Sequence, residues 1–207
     1  MELFEIIIEK WNQITIKFNW IFAVVIFTLI VLLNIFLKLN YNKKRNGTLR
    51  IDGFNIGLGN TDVILKYDYK SAEIAYKIWV EMSTRKIGIM YDDNNDIIEE
   101  VYNSWHNFFT LTRDIIKEVP GSSTKDSREM IELVIQVLND GLRPHLTRWQ
   151  GRFRKWLKEN KNKYEGQTPQ QIQKYFPEYE ELLDDLIKTN NKMINFKECL
   201  YKYVNMQ

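Results

Sequence analysis

The longest apolar stretch of the chain predicts a helix that crosses a membrane. Residues 20–37, WIFAVVIFTLIVLLNIFL, contain no charged side chain, and only Thr28 and Asn34 are polar. Apolar residues would therefore cover every side of this helix rather than one stripe. At about 1.5 Å of rise per residue the stretch is about 27 Å long, close to the hydrocarbon thickness of a bilayer. We predict a transmembrane helix over 19–38.

Two other structures also use long apolar stretches: a buried helix of a globular domain and a cleavable signal peptide. A buried helix normally keeps a polar face, which residues 20–37 lack. A signal peptide starts with basic residues and ends with small ones. This chain starts with Glu2, Glu5 and Glu9, and bulky residues follow the apolar stretch. The sequence therefore favours an uncleaved anchor.

The charges that flank the apolar stretch predict its orientation. Residues 1–37 carry three acidic and two basic residues, whereas 38–50 carry five basic residues and no acidic one. Basic flanks remain in the cytoplasm, so we expect the N-terminus outside and the larger C-terminal part inside. The abundance of Asn, Ile and Lys is typical of an AT-rich bacterial genome. The predicted location is thus a bacterial inner membrane, crossed once.

Several side chains near the predicted membrane helix have expected roles of their own. Aromatic rings at the two interfaces and the basic linker 39–46 at lipid headgroups would anchor the helix. These anchors are Trp20, Tyr41, Lys43, Lys44 and Arg45. Asn34 lies within the apolar stretch, where a second copy of the helix could satisfy its amide and form a homo-oligomer. The alternative is that the amide reaches toward the nearby headgroups.

The first eighteen residues are predicted to form an amphipathic helix. Apolar residues recur there at helical spacing, at Leu3, Ile7, Trp11, Ile14 and Phe18. A helix over 1–18 would lie in the membrane interface or continue the spanning helix outward.

The region 47–67 changes to an alternating pattern that is typical of β-strands. Leu49 and Ile51 precede Asp52-Gly53, and further alternating apolar residues follow up to Leu65. Asp-Gly between such residues indicates a hairpin, because glycine accepts the positive φ of a tight turn. The glycines at 57 and 59 belong to no phosphate-binding motif, so we expect turns there.

Residues 68–207 show helical periodicity to the end of the chain. Asp68 and Thr168 are predicted N-caps, Pro144 lies in a first turn, and Gly141 is expected to end a helix. The predicted helices are 69–86, 95–118, 127–140, 143–161, 169–175 and 178–204. Short polar loops between them favour an antiparallel bundle. The whole chain is therefore predicted to be mainly α: an N-terminal transmembrane helix followed by a cytoplasmic antiparallel helical bundle with a small β-hairpin.

Candidate chemistry is sparse in this sequence. The single cysteine, Cys199, excludes an intramolecular disulfide and a thiolate metal cluster. His106 and His145 belong to no metal-binding or catalytic motif and are interpreted as structural. The adjacent carboxylates at 99–100 and 184–185 would point about 100° apart on a helix, so neither pair alone makes a metal site. We predict no catalytic residue, metal site or cofactor.

The most distinctive stretch of the bundle is the basic segment 142–163, LRPHLTRWQGRFRKWLKENKNK, with eight basic residues and one acidic residue. Its arginines form a predicted basic ridge that could bind phosphates, headgroups or an acidic partner. The candidate ridge residues are Arg143, Arg148, Arg152, Arg154, Lys155 and Lys158. Leu146, Trp149, Phe153 and Trp156 would face the core. In the alternative, the acidic residues of 178–186 neutralise the ridge within the bundle.

Two segments, IAYKIWVEMSTRKIGI at 74–89 and LRPHLTRWQGRFRKWL at 142–157, carry a family resemblance. They resemble segments of uncharacterised bacterial single-pass membrane-anchored helical proteins, some of which occur in phage-defence loci. The resemblance implies a membrane and defence context, and it brings no catalytic motif to this chain.

These observations predict a non-enzymatic, membrane-anchored cytoplasmic module for interaction or signalling, whose partners are the lipid bilayer and another protein. A component of a bacterial defence system fits this description. The alternative is a membrane-tethered protein that binds nucleic acid through the basic helix 143–163. An enzyme with a dispersed site is the third hypothesis, and no motif supports it.

Overall fold

The computed structural model describes the backbone of residues 4–10, 13–18, 20–43, 47–120 and 124–206. Side chains are described for residue 20 and for 23–38, 47–120 and 124–206. The chain forms two compact units, Met1–Asn46 and Gly47–Gln207. The described parts are mainly helical and contain two small antiparallel sheets of two strands each.

The start of the first unit is a pair of strands, so the prediction of an amphipathic helix over 1–18 is wrong. Strand β1 (Phe4–Lys10) pairs with β2 (Gln13–Phe18) in antiparallel register. The register sets apolar residue types opposite one another at Phe4↔Phe18, Ile6↔Ile16 and Ile8↔Ile14. Apolar residues thus recur at every second position as well as at helical spacing. The β-branched content of both segments favours the strand.

Helix α1 (Trp20–Lys43) contains the predicted apolar helix and extends beyond it. The predicted linker 39–46 is therefore helical as far as Lys43, and Lys44 and Arg45 lie outside the described residues. Every described large apolar side chain from Trp20 to Leu37 is exposed within its unit. Among the residues that the structure describes, no helix meets both the length and the apolarity required to cross a membrane. The helix is thus present, whereas its transmembrane role is not supported by this finding.

The second unit begins with the predicted β-hairpin. Strand β3 (Thr48–Asp52) pairs antiparallel with β4 (Asp62–Lys66), as expected for 47–67. The turn differs from the prediction, because Gly53 has a φ of −63° and is followed by a 3₁₀ helix, Phe54–Ile56. Gly57, with a φ of 88°, takes the left-handed conformation instead. The hairpin is thus closed by a longer loop that carries Ile56 into the core.

Asp68 caps α2 and also ties it to a second helix. Its Oδ2 atom accepts hydrogen bonds from the backbone N–H of Ser71 at 3.1 Å and from Oγ of Ser127 at 2.9 Å. Burial alone would raise the pKa of Asp68, but the hydrogen bonds from Ser71 and Ser127 hold it below its usual value. The predicted N-cap is confirmed, and α2 spans Tyr69–Ser83.

The chain from 125 to 160 is helical without a break, so the prediction that Gly141 ends a helix is wrong. Helix α4 (Lys125–Gln136) continues into a π-helical segment, Val137–Leu142. Then follow α5 (Arg143–His145), a second π-helical segment (Leu146–Gln150) and α6 (Gly151–Asn160). Gly141 lies against the backbone of Gly57, and a Cβ there would lie 3.1 Å from the carbonyl oxygen of Ile56. The glycine therefore permits close packing rather than chain reversal.

The remaining helices match the predicted positions closely. Helix α3 spans Ile98–Lys117, α7 spans Pro169–Ile172 behind a capping box formed by Thr168, and α8 spans Tyr179–Val204. Helix α8 packs along α2 and also contacts β3 and α5. Large side chains fill the space between these helices: Trp105, Trp149, Tyr102, Tyr203, Phe108, Phe153 and Phe196. A single hydrophobic core therefore extends through the unit Gly47–Gln207. The hairpin is held in place because β3 packs against α8 and β4 packs against α4.

Candidate functional site

Two arginines of the predicted basic ridge form ion pairs with the acidic N-terminal end of α8. Arg148 pairs with Glu181, and Arg152 pairs with Glu178. Both guanidinium groups also lie over the ring of Trp149, with Cζ 4.6 Å and 5.1 Å from its centroid. For these two arginines the structure has the alternative arrangement, in which the neighbouring acidic helix neutralises the positive charge. Both arginine side chains remain about half exposed, so each pair stabilises the fold by about 0.2 to 1 kcal/mol.

Two further ridge arginines bind neutral side chains. Nη2 of Arg154 donates a hydrogen bond to Oδ1 of Asn103 in α3 at 2.7 Å. Nε of Arg143 donates to the amide oxygen of Asn139 at 3.1 Å, and its Cζ lies 4.9 Å from the ring centroid of Phe109. Neither hydrogen bond neutralises the positive charge. Arg143 and Arg154 therefore keep their charge available at the surface.

Lys155 and Lys158 are the ridge members without a described side-chain partner. Both are exposed, and within the described parts of the chain neither has a carboxylate within 4 Å. The predicted ridge is consequently divided into neutralised, hydrogen-bonded and free cations.

The aromatic prediction is confirmed, because Trp149 and Phe153 are buried and Trp156 packs partly buried against them.

His145 is the centre of a buried polar network that joins three helices. Its Nδ1 atom lies 2.7 Å from Oδ2 of Asp185 in α8, and its Nε2 atom lies 3.2 Å from the hydroxyl of Tyr102 in α3. The same Asp185 oxygen accepts a hydrogen bond from Nε1 of Trp149 at 2.9 Å. His145 lies in the three-residue helix between the two π-helical segments. The wider π turns therefore help to set where this imidazole meets α8.

The surroundings of His145 favour its neutral form. Burial lowers the pKa of His145, and this effect exceeds the opposing effect of the hydrogen bond and charge of Asp185. In the neutral ring Nδ1–H donates to Asp185 and Nε2 accepts from the Tyr102 hydroxyl. Both ring nitrogens are thereby used, and only 1% of the side chain is exposed. The network can position helices, but it offers no open nitrogen to a substrate.

The sequence interpretation treated the members of this network separately. His145 was expected to be structural, which agrees with its burial, while Asp185 was considered only among the acidic residues of 178–186 and in the carboxylate pair 184–185. The four-residue spacing of His145 and Trp149 puts both on one helical face and was the available signal. It did not identify their common acceptor, because Asp185 lies on a different helix.

Two buried amides organise the loop before α3. Nδ2 of Asn190 lies 3.2 Å from each of the carbonyl oxygens of residues 86, 87 and 89, so its two N–H groups are shared among three acceptors, and its Oδ1 accepts from the N–H of Tyr91 at 2.9 Å. Gln173 accepts from the N–H of Ile98 at 2.9 Å and donates to the carbonyl of Asp96 at 3.0 Å. No sequence motif marked either residue.

The acidic loop 92–96 satisfies its charges internally. Asp96 pairs with Lys86 at 2.6 Å and accepts from the N–H of Asp92 at 2.9 Å, while Asp93 accepts from the hydroxyl of Tyr179. Over the described residues, no group of three or more His, Cys, Asp or Glu side chains could hold a metal ion.

Cys199 is half-buried, and burial raises the pKa of its thiol.

The predicted membrane-associated residues are placed only in part. Trp20 is 74% exposed at the start of α1, and the amide of Asn34 donates to the carbonyl of Ile30 in its own helix at 2.8 Å. Tyr41 and Lys43 lie in the last turn of α1, and their side chains lie outside the described residues. Asn34 thus has an intrahelical partner that the sequence analysis did not consider.

Comparisons of this chain with protein-family models, with curated proteins and with solved structures found no match. Nothing in them points to an enzyme family.

Proposed function

We propose that the chain is a membrane-anchored interaction module: α1 holds it in a bilayer, and the helical unit Gly47–Gln207 binds a protein partner on the cytoplasmic side. The resemblance of residues 74–89 and 142–157 to membrane-anchored helical proteins adds a bacterial defence context to this proposal.

The observation that carries the proposal is the exposed apolar surface of α1. Consecutive large apolar side chains in 24–37 are each between 39% and 67% exposed within their unit. Such a surface is unfavourable in water, at about 25 cal/mol for each Å² of apolar area. Within α1 the uncharged stretch of eighteen residues, 20–37, corresponds to about 27 Å of helix, close to the hydrocarbon thickness of a bilayer. The neighbouring basic residues 38–45 support a cytoplasmic C-terminal side.

Membrane fractionation of the full-length chain tests the anchor. We expect the protein to stay in the membrane pellet after alkaline carbonate washing, since apolar burial does not depend on surface charge. The variant Leu29→Arg with Leu33→Arg should move to the soluble fraction, because a central arginine costs about 2.5 to 3.5 kcal/mol in a membrane helix. The matched control, Leu29→Ala with Leu33→Ala, should remain in the pellet. Release of the unaltered chain by carbonate would overturn the anchor.

Cysteine labelling tests the orientation. In a Cys199→Ser background, a cysteine at Gln207 should react with a membrane-impermeant maleimide only after the cells are opened. Changing Lys43, Lys44 and Arg45 to Glu should weaken this preference. Labelling of Gln207→Cys in intact cells would show that the proposed orientation is wrong.

Nucleic-acid binding through helix 143–163 is a second candidate function. It is favoured by the exposed and carboxylate-free side chains of Lys155 and Lys158. The ion pairs of Arg148 and Arg152 reduce the available charge. Binding to a generic duplex should weaken steeply with salt, and Lys155→Glu with Lys158→Glu should abolish it. Unchanged binding in this variant would remove the candidate.

Self-association through α1 is part of the proposal, with Asn34 as the contact. The hydrogen bond that the Asn34 amide donates to the carbonyl of Ile30 leaves one N–H and the amide oxygen free to bind a second copy, which would contribute about 1 kcal/mol. Crosslinking in membranes should show oligomers that weaken in Asn34→Leu. Equal oligomers in both proteins would place the contact elsewhere.

A further inference from the structure

A groove of about 410 Å³ between α3 and the path from α4 to α5 combines an apolar floor with two arginines. Phe109 and Ile116 contribute from α3, and Ile135 and Leu138 contribute from the opposite side. Arg113 and Arg143 also line the groove, one from each side. Ile135 is 40% exposed although it lies beside the buried Leu138. The groove therefore presents apolar surface to solvent between two cations.

The charges of the groove have no carboxylate partner among the side chains that the structure describes. Among the side chains that the structure describes, no carboxylate lies within 4 Å of Arg113 or Arg143. Arg143 is held in place by its hydrogen bond to Asn139 and by the ring of Phe109. An arginine that is already positioned loses less conformational freedom when it binds a carboxylate. This contrasts with Arg148 and Arg152, whose carboxylate partners lie within the fold.

The residues that line the groove on α3 recur at helical spacing. Phe109, Arg113 and Ile116 follow one another at intervals of four and three residues along one face of α3. An apolar groove is a recurring binding site for an amphipathic helix, which lays its apolar face into the groove. Leu138 belongs to the π-helical segment, and such segments occur frequently at functional sites.

We propose that this groove binds an acidic amphipathic helix of the partner protein. Apolar residues of the partner at i, i+3, i+4 and i+7 would cover Ile135 and Phe109. Glutamates or aspartates beside that apolar stripe would pair with Arg113 and Arg143. The inference rests on the proposed function as an interaction module and names the surface and the chemistry of its partner. An acidic occupant is inferred because no carboxylate among the described side chains lies within 4 Å of Arg113 or Arg143.

The test uses the full-length chain in nanodiscs of phosphatidylcholine and a fluorescein-labelled synthetic helix of eighteen residues. The probe carries Leu at i, i+3, i+4 and i+7 with Glu on both flanks, and a second probe carries Lys in place of every Glu. Fluorescence anisotropy should show saturable binding of the Glu probe and binding of the Lys probe at least about tenfold weaker.

Charge reversal in the protein should reverse this preference. In Arg113→Glu with Arg143→Glu the Glu probe should bind at least about tenfold more weakly, and the Lys probe should bind better than the Glu probe. Arg113→Glu alone should shift binding in the same direction, and it leaves the contacts of Arg143 intact. The matched control is Arg128→Glu, an exposed arginine of α4 that does not line the groove, and it should bind both probes as the native chain does. Circular dichroism checks that each variant is folded.

Equal affinity for both probes, or equal weakening by Arg128→Glu, would overturn the proposal, as would no binding up to about 1 mM of the Glu probe. If the arginine variants instead lost only binding to phosphatidylglycerol vesicles, the groove would be a lipid site and the helix proposal would be wrong. Carbonate extraction reports on the anchor and anisotropy on the groove. Failure of the groove is therefore distinguishable from failure of the proposed membrane location.

Discussion

The imidazole of His145 donates to Asp185 across the interface between α5 and α8, with 2.7 Å between Nδ1 and Oδ2. The partner on the other ring nitrogen is the hydroxyl of Tyr102, and Trp149 shares the Asp185 oxygen. Three helices are thus joined by one ring that the fold keeps neutral. The stability of the protein should therefore depend on pH through this residue.

Acidification should destabilise the protein through His145. Burial lowers the pKa of His145 below its usual value of 6.5. Between pH 6.5 and this lower pKa, the unfolded chain therefore binds more protons than the folded one. The contribution is present above the unfolded pKa of 6.5 and is lost as the pH falls from that value through the lower pKa of the folded state. Urea unfolding at pH 8 and at pH 5.5 measures it. His145→Asn should lose this part of the pH dependence, whereas exposed His106→Asn should retain it. If the free energy of unfolding changed equally between pH 8 and pH 5.5 in the native protein, His145→Asn and His106→Asn, the prediction would be contradicted.

The Arg148 and Glu181 side chains should be energetically coupled. A double-mutant cycle with Arg148→Ala and Glu181→Ala should give about 0.2 to 1 kcal/mol, decreasing at high salt because both groups are partly exposed. The matched cycle of Lys155→Ala with Glu181→Ala should give no coupling. If the Arg148 cycle were also zero, the arginine would be a free surface cation.

Gly141→Ala should destabilise the helical unit. The new methyl group would lie 3.1 Å from the carbonyl oxygen of Ile56 and 3.0 Å from Cε of Met193, at an expected cost of about 1 to 3 kcal/mol. Gly151→Ala is the control, because no atom beyond its chain neighbours and the adjacent backbone of its own helix lies within 4 Å of the added group. Its helical φ of −68° should allow a gain of about 0.4 to 1 kcal/mol. Thermal unfolding that ranked the two variants in the opposite order would refute the close approach at Gly141.

Asn190→Ala should loosen the loop 86–91. The substitution removes an amide that serves four backbone groups, and we expect a loss of about 2 to 4 kcal/mol. Hydrogen exchange should increase at the N–H of Tyr91, which loses its acceptor. The neighbouring exposed Asn191→Ala should change the free energy of unfolding by less than about 0.5 kcal/mol. Equal exchange at Tyr91 in both variants would contradict the assigned role.

The helices of the second unit were predictable because their signals are local. The periodic apolar residues and caps such as Asp68 and Thr168 act within one or two turns of their own helix. The hairpin at 47–67 was predictable for the same reason, since alternation is read along a single strand. The positions of α2, α3 and α8 therefore follow from the sequence by itself.

The tertiary structure decided the features that depend on distant neighbours. Gly141 resembles a helix end by residue type, but the approach of Gly57 gives it a packing role that no local pattern contains. Residues 4–18 fit both periods, and pairing between two segments selected the strands. Whether a basic ridge is free depends on what lies opposite it. Glu178 and Glu181 neutralise Arg152 and Arg148, whereas no carboxylate among the described residues reaches Arg113 or Arg143. Charge is encoded in the sequence, but its compensation depends on distance, and distance between helices is set only when the core packs.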